Sequence, residues 1–363
     1  MKQLICTLLA AALAALAGCS GTGSIIPPVT GLQPPVESGV ADAAPSPVLE
    51  VSPITELENG FSSAQFTGDD GFESFLSTGG AASDGEVIRF LAQRLAADLA
   101  VGSNPFGCST LAVQSPEGHT LFGRNFDWQS CDALVLTSKP TQGYASISTV
   151  NLDFIQHSGG GLGGLLETDE VKILAALYAP LDGMNEKGLA VSVNMIQDSA
   201  SITQDTDKPD LTTTTAVRLL LNQAASVEEA VELLEQYDLH ASMGMMVHFA
   251  LADSAGDSVV VEYIGNQMAV IETPVVTNFY LAEGEKQGIG TQQSHQRYDI
   301  LIQALADHPT MTMADVRDAL DSVSKDNFNE FESTEWSAVF DLDAGEAHYY
   351  HRENYETRYT FSI

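Results

Sequence analysis

Residues 108–128 read CSTLAVQSPEGHTLFGRNFDW, and this stretch decides how the chain is interpreted. CSTLAV is a run of small and β-forming residues, SPEG has the composition of a turn, and HTLFGR resumes the apolar pattern. The pattern predicts a β-hairpin with Cys108 at the start of its first strand. Arg124 and Asp127 return on the partner strand, so the hairpin is expected to place a thiol beside a cation and a carboxylate.

A cysteine in this setting is a candidate nucleophile. Its thiolate needs stabilisation, which a neighbouring guanidinium such as Arg124 can provide, and it also needs a base. A papain-like site would use a histidine fixed by Asn or Asp. None of the eight histidines lies in a sequence context that marks it as such a partner.

The other candidate base is the α-amino group of the cysteine itself, whose ordinary pKa is about 8. This arrangement requires cleavage of the chain between Gly107 and Cys108, so that Cys108 becomes an N-terminal residue. Gly107 is expected to give the backbone the freedom for the strained turn that an N-to-S acyl shift needs.

The same polar residues also have purely structural interpretations. Arg124 and Asp127 could form an ion pair without a catalytic role. Asn185 and Asn278 could be turn residues, because Asn is common in turns. Arg297 could be a solvated residue of a helix.

The stretch 108–128 resembles the start of the linear amide C–N hydrolases. That family includes choloylglycine (bile salt) hydrolases and penicillin V acylases, and its relatives include acid ceramidase and N-acylethanolamine amidase. The family's Cys, Gly-Arg-Asn and Asp correspond here to Cys108, residues 123–125 and Asp127. Four later segments resemble further motifs of the family and occur in the same order. They are DGMNEKGL at 182–189, Asn194, the Thr-Asn pair at 277–278 and SHQRY at 294–298.

The resemblance implies both a fold and a set of roles. The fold is α+β, the αββα sandwich of N-terminal-nucleophile hydrolases, with antiparallel sheets and flanking helices. The alternation of strand runs with helical stretches in this sequence agrees with layered α+β packing. No metal or organic cofactor is implied. The resemblance implies that Cys108 is the nucleophile, that its freed α-amino group is the base and that Asp127 orients this amine. Arg124 and Arg297 would supply positive charge, and Asn194 and Asn278 would form the oxyanion hole.

The N-terminal region predicts export. Residues 1–19 have an apolar core that is too short for a permanent membrane span, and they end in LAGC. This ending resembles the lipobox of bacterial lipoproteins, in which the cysteine, here Cys19, is lipidated. We therefore expect a protein anchored by lipid on the outer face of a bacterial cell membrane, with no other membrane contact.

Four segments are predicted along the chain. A lipoprotein signal peptide at 1–19 is followed by a Pro, Ser and Gly-rich tether at 20–60. A helical, propeptide-like leader at 61–107 precedes the catalytic domain at 108–363. Within the leader, residues 83–101 carry apolar residues at helical spacing.

The composition and the motifs argue against some classes of partner and of binding site. The net charge of −34, from 15 basic and 49 acidic residues, argues against nucleic acid and anionic membrane surfaces, because both require clustered Lys and Arg. The glycine-rich stretch 157–164 lacks the Gly-Lys-Ser/Thr of a phosphate loop.

Cys131 could pair with Cys108 in an oxidising compartment or be a small buried hydrophobe. Trp128 and Trp336 are expected in the core.

The predicted function is hydrolysis of a linear, non-peptide C–N amide bond through a Cys108 thioester. The expected partner is a small N-acyl amide, such as a bile-acid conjugate, an N-acyl amino acid or a penicillin V type substrate. The alternatives are an acyltransferase on the same scaffold, a catalytically silent surface binding lipoprotein, and a papain-like peptidase. The long leader resembles acid ceramidase more than choloylglycine hydrolases, so a bile-acid substrate does not follow from the resemblance.

Overall fold

The computed structural model describes residues 50–95, 107–156, 168–326 and 332–363. The predicted signal peptide, Cys19, most of the predicted tether and the glycine-rich loop at 157–164 lie outside these ranges. Across the part of the chain that is described, no helix combines the length and the apolar character needed to cross a membrane.

Eighteen strands are found within the described ranges. They are β1 Glu50–Val51, β2 Thr55–Glu58, β3 Phe61–Gly68, β4 Gly107–Gln114, β5 Thr120–Trp128, β6 Ala133–Pro140, β7 Ser146–Asn151, β8 Asp182–Asn185, β9 Leu189–Met195, β10 Asp210–Thr212, β11 Asp238–His240, β12 Val247–Asp253, β13 Ser258–Ile264, β14 Gln267–Glu272, β15 Val275–Val276, β16 Ser333–Asp341, β17 Glu346–His351 and β18 Tyr359–Ser362.

Eight α-helices and one 3-10 turn at Ser242–Gly244 accompany these strands in the same ranges. The helices are α1 Phe72–Ser77, α2 Asp84–Leu95, α3 Leu152–Gln156, α4 Asp169–Leu177, α5 Thr213–Gln223, α6 Val227–Leu234, α7 Gln292–Asp307 and α8 Met313–Asp321. Side-chain caps start several of them. Ser226 caps α6, and Thr312 with Asp315 forms a capping box at α8.

Two sheets carry the fold. The larger has the order β1-β3-β6-β7-β8-β9-β12-β13-β14, with β2 paired to β3, and the smaller has the order β15-β4-β5-β16-β17-β18. Nearly all pairs in both sheets are antiparallel, whereas β3 and β6 run parallel. Helices α4, α5 and α6 contact the larger sheet, and α7 and α8 contact the smaller one.

Alternation along β5 shows how the layers are built. Phe122 and Phe126 belong to the main hydrophobic core, which includes the space between the sheets. Leu121 belongs to a second core with Val316 and Leu320 of α8, on the opposite face of the smaller sheet. Successive strand residues point to opposite faces, so β5 separates these two cores. The predicted sandwich of antiparallel sheets with flanking helices is confirmed.

The structure of the segment before Cys108 differs from the prediction in two ways. The tether does not extend to residue 60, because β1 and β2 already lie within 50–58. The leader at 61–107 is not purely helical, because β3 at 61–68 precedes α1 and α2. Phe61 and Phe66 of β3 are buried, but Ser62, Ser63 and Gln65 between them interrupt the apolar pattern.

The predicted hairpin is confirmed as β4 and β5, which pair from Gly107 opposite Asp127 to Gln114 opposite Thr120. The strained turn expected at Gly107 is not found. Gly107 is the first residue of β4, and it is absent from the described glycines with positive φ. The peptide before Cys108 is therefore held in extended strand conformation.

Candidate active site

Strand register sorts the hairpin residues onto two faces. Cys108 lies opposite Phe126 and Thr110 lies opposite Arg124, and directly opposed residues share a face of an antiparallel pair. Cys108 and Arg124 therefore point together between the two sheets. Asp127, one position further along than Phe126, points to the other face, towards α7 and α8.

Arg124 is the positive group beside the thiol. Its Nη2 donates to Cys108 Sγ at 3.5 Å, and its Nη1 donates to the carbonyl oxygen of Val193 at 3.0 Å. Its Nε lies 2.6 Å from Asp182 Oδ2, and both side chains are fully buried. The alternative interpretation of Arg124 and Asp127 as an ion pair is therefore wrong, since Arg124 pairs with Asp182 on the neighbouring sheet.

The Cys108 thiol is shielded from solvent in the uncleaved chain. Cys108 has no exposed surface, and its Sγ lies 3.7 Å from the carbonyl oxygen of Val193. Burial raises the pKa of the thiol to about 11, while the guanidinium of Arg124 acts in the opposite direction. In the intact chain the thiol is thus protonated at neutral pH.

Arg297 gathers the polar groups around the backbone of Cys108. Its Nη1 donates to Asp127 Oδ2 at 2.9 Å and to the Cys108 carbonyl oxygen at 3.1 Å. Its Nη2 donates to Asn278 Oδ1 at 2.6 Å, and the same Oδ1 accepts the backbone N–H of Cys108 at 3.0 Å. The interpretation of Arg297 as a solvated helix residue is wrong, because its side chain is 5% exposed.

The loop after β15 and the start of α7 hold Asn278 and Arg297 in place. Thr291 caps α7, and the hydroxyl of Ser294 in its first turn accepts the backbone N–H of Asn278 at 2.6 Å. Asn278 Nδ2 donates to the carbonyl oxygen of Met195 at the end of β9. The Asn278 side chain thus joins β9, β4 and α7 at Cys108.

Known proteins resemble this chain in sequence and in fold. Residues 108–279 match the model of the linear amide C–N hydrolases, choloylglycine hydrolase family. The chain carries a domain of this family. Its hydrolases act on C–N bonds of linear amides. The match begins at Cys108 itself.

The choloylglycine hydrolase domain also has individual relatives. The chain is 31% identical over 99 residues to a penicillin V acylase of Pectobacterium atrosepticum, a match that covers 24% of this chain and only 26% of that acylase. Two solved structures share the fold. A mutant of the conjugated bile acid hydrolase from Clostridium perfringens has a TM-score of 0.52 and 18% identity, over 70% of this chain and 92% of that one. The penicillin V acylase of Agrobacterium tumefaciens has a TM-score of 0.50 and 20% identity, over 70% and 86%.

Asn194 lies in the site of the choloylglycine hydrolase domain, but its side chain is engaged within the protein. Asn194 Oδ1 accepts hydrogen bonds from Arg124 Nη1 at 3.1 Å and from the hydroxyl of Ser192 at 2.7 Å. Its Nδ2 donates to the carbonyl oxygen of Val276 at 3.4 Å. The backbone of Asn194 pairs with His248 of β12 in the larger sheet. Both parts of Asn194 are therefore engaged within the protein, and its role in the oxyanion hole stays a prediction.

The other predicted residues have mostly structural positions. Asn185 is a turn residue, because its Oδ1 accepts the backbone N–H groups of Lys187 and Leu189. Trp128 and Trp336 are buried, as predicted. In the described ranges Cys108 and Cys131 are both free cysteines, so the alternative of a disulfide between them is wrong.

Three residues that contact the site have no role in the sequence prediction. Asp182 pairs with Arg124 and accepts Trp336 Nε1 at 3.0 Å. On the other face, Asp127 accepts the hydroxyl of Thr334 at 2.8 Å and lies 3.4 Å from Lys325 Nζ. Asp182 begins the recognised segment 182–189, which is a usable signal, whereas nothing near Lys325 or Thr334 marks them.

Neither a histidine nor a metal cluster is seen at this site within the described ranges. The hydrogen bonds of Cys108 go to Val193, Asn278, Arg124 and Arg297. Among the residues that the structure describes, no group of three or more His, Cys, Asp or Glu has metal-binding geometry.

Proposed function

We propose that this chain is a cysteine N-terminal-nucleophile amidase that hydrolyses a linear, non-peptide C–N amide bond through a Cys108 thioester. The observation that carries the proposal is the convergence of Arg124, Asn278 and Arg297 on the thiol, the amide nitrogen and the carbonyl oxygen of Cys108. The family match that starts at residue 108 supports it.

Maturation begins with attack of Cys108 Sγ on the carbonyl carbon of Gly107. The peptide C–N bond breaks, the Cys108 nitrogen keeps the electron pair and takes up the thiol proton, and a thioester forms. Water then hydrolyses this thioester, which releases the Gly107 carboxylate and leaves Cys108 with a free amine and a free thiol. Asn278, which accepts the Cys108 N–H in the intact chain, stays next to the new amine.

Substrate hydrolysis repeats this chemistry on an external amide. The α-amine of Cys108 accepts the thiol proton, and Arg124 stabilises the thiolate against the burial that otherwise raises its pKa. The thiolate attacks the substrate carbonyl, and the amine product leaves with the proton. Water activated by the α-amine resolves the acyl-enzyme and restores the thiol.

The remaining residues shape and charge the site. Arg297 ties Asp127 to Asn278, so the carboxylate and the amide are held on either side of the Cys108 backbone. Asn278 and Asn194 are the proposed donors to the oxyanion that forms during each attack. Loss of one such donor typically slows an enzyme about a hundred- to a thousandfold.

The substrate class is an N-acyl amide, such as a bile-acid conjugate, an N-acyl amino acid or a penicillin V type compound. The experiment is to incubate the purified chain with a panel of these amides and to quantify the released acid and amine, with Cys108→Ala as control. Hydrolysis of at least one member that the control lacks is expected. Product formation only when an acceptor amine is added would indicate an acyltransferase. Full activity of the control contradicts the proposal.

Export and lipid anchoring belong to the same proposal. Residues 1–19 act as signal peptide, Cys19 receives the lipid, and the residues up to the first strand hold the enzyme away from the membrane. Fractionation of cells that express Cys19→Ala tests this, with Cys6→Ala as a matched control that should remain in the membrane fraction. A Cys19→Ala protein that stays membrane-bound contradicts the anchor.

A further inference from the structure

Gly107 precedes the bond that the proposed maturation cleaves, and its backbone gives no reason for a glycine. The described glycines with positive φ, such as Gly60 and Gly71 with φ of 80° and 77°, need the absence of a side chain for conformational reasons. Gly107 is not among them and lies in β4. The reason for a glycine at position 107 is therefore to be sought in the space around it.

That space is filled by three charged side chains. A Cβ atom on Gly107 would lie 2.9 Å from Lys325 Nζ, 3.0 Å from Glu332 Oε2 and 3.3 Å from Asp127 Oδ2. The first of these separations is shorter than Cβ atoms show in proteins, and the other two are tighter than nearly all Cβ contacts. Even an alanine at position 107 would have to push one of these groups aside.

The three groups hold one another in place. Lys325 forms a close ion pair with Glu332 and lies 3.4 Å from Asp127 Oδ2, and its side chain is only 3% exposed. Asp127 is itself fixed by Arg297 and Thr334. Moving Lys325 would separate buried charges, which costs much more than the rotation of a free surface lysine.

We propose that the Lys325–Glu332 pair is the specificity element for the residue before the scissile bond. The pair closes the side-chain position of residue 107, so that only glycine fits and the Gly107–Cys108 peptide is held against Arg297 and Asn278 for cleavage. This inference rests on the proposed maturation step. It explains why residue 107 is a glycine, and it names Lys325 and Glu332 as the residues that exclude any larger side chain there.

The test measures the first-order rate of cleavage between residues 107 and 108 by intact mass, in protein expressed without its signal peptide. Gly107→Ala should cleave at least tenfold more slowly than wild type. In the Lys325→Ala, Glu332→Ala background, which removes both charges and opens the space, Gly107→Ala should cleave within threefold of its own parent. An exposed-lysine variant, Lys208→Ala, should leave the Gly107→Ala defect unchanged.

A matched pair of substitutions separates bulk from charge. Lys325→Met with Glu332→Gln keeps the length of both side chains and removes the charges, so Gly107→Ala should be impaired less in that background than in wild type, because moving the neutral side chains separates no buried charges. Cleavage of Gly107→Ala at the wild-type rate overturns the inference. So does a persistent Gly107→Ala defect in the truncated background while the truncated parent itself cleaves normally.

Urea denaturation in the Cys108→Ala background, which cannot cleave itself, measures how much a side chain at position 107 destabilises the intact chain. Gly107→Ala should lower the denaturation midpoint there, and the lowering should disappear when Lys325 and Glu332 are both alanine. An unchanged midpoint, or an equal lowering in the truncated background, overturns the inference. A wild-type chain that never cleaves contradicts the proposed function instead, and the denaturation result then still decides whether this pair excludes a side chain at 107.

Discussion

Asp182 Oδ2 lies 2.6 Å from Arg124 Nε, and the two fully buried side chains join β8 of the larger sheet to β5 of the smaller one. With Nε held in this way, Nη1 and Nη2 of Arg124 are directed at Val193 and at the thiol of Cys108. The charge beside the nucleophile is therefore aimed by a carboxylate in the opposite layer of the sandwich.

Replacement of Asp182 by Asn should impair both stability and catalysis. Removing one partner of a buried ion pair leaves an uncompensated charge, so the free energy of unfolding should fall by about 3–5 kcal/mol. Arg124 also loses its anchor, and kcat should decrease more than KM. Urea denaturation and amide hydrolysis measure the two effects, with exposed Asp205→Asn as control. Unchanged kcat in a folded Asp182→Asn protein would show that Arg124 needs no such anchor.

Arg297→Lys should keep the charge and lose most of the activity. A lysine ammonium cannot span Asp127 Oδ2 and Asn278 Oδ1 as the guanidinium does, because it lacks the planar fork of donors. We expect kcat to fall by about a hundredfold, in the range of one lost transition-state donor, with KM within a few fold of wild type. Arg89→Lys, at a side chain that is 66% exposed, is the matched control and should be neutral. Equal activity of the two variants would mean that only charge is required at position 297.

The leader should remain bound after cleavage. β3 lies between β1 and β6 and pairs with β6 over its whole length, and Phe61, Phe66, Phe72 and Phe75 of the leader are buried in the main core. Native mass spectrometry of cleaved protein should therefore give one complex of two chains, which separate only in denaturant. Recovery of an active chain that starts at Cys108 and lacks the leader would contradict this.

Glu335 should make stability depend on pH. Burial raises the pKa of its carboxyl from the ordinary 4.5 to about 7, with Arg352 opposing this shift and Asp153 and Asp127 adding to it. A raised pKa in the folded state means that the stabilisation is present below pH 4.5 and is lost as pH rises through about 7.

The Glu335→Gln variant isolates this effect, because its amide stays neutral throughout. Its unfolding free energy should match wild type near pH 4.5 and exceed it by about 2–3 kcal/mol at pH 8, since each pKa unit is worth 1.36 kcal/mol. Denaturation curves at both pH values test this. A difference that is the same at pH 4.5 and pH 8 would contradict it.

The parts of the site that sequence could predict are those encoded by local pattern and by motif. The hairpin of Cys108 and Arg124 follows from its turn and flanking strands, and Asn278 and Arg297 lie in short recognisable segments. The geometry then brings these four together, although their catalytic roles stay predictions.

What sequence could not predict depends on pairing between distant segments. Asp182 meets Arg124 only because the two sheets stack, and Lys325 meets Asp127 only because the chain after α8 returns beneath β5. The strand β3 was missed because polar residues interrupt its apolar pattern, and its pairing with β6 joins residues about seventy positions apart. The strained turn expected at Gly107 was wrong because strand pairing with Asp127 keeps the backbone extended.

The N-terminal sequence and intact mass of the protein expressed without its signal peptide, beside a Cys108→Ala control, decide whether Cys108 becomes an N-terminal residue. We predict a wild-type chain that begins with CSTLAV, together with a leader that ends at Gly107, and a control that remains one chain. An active wild-type protein in which residues 107 and 108 remain joined would contradict it, because Cys108 would then have no α-amine to act as the base.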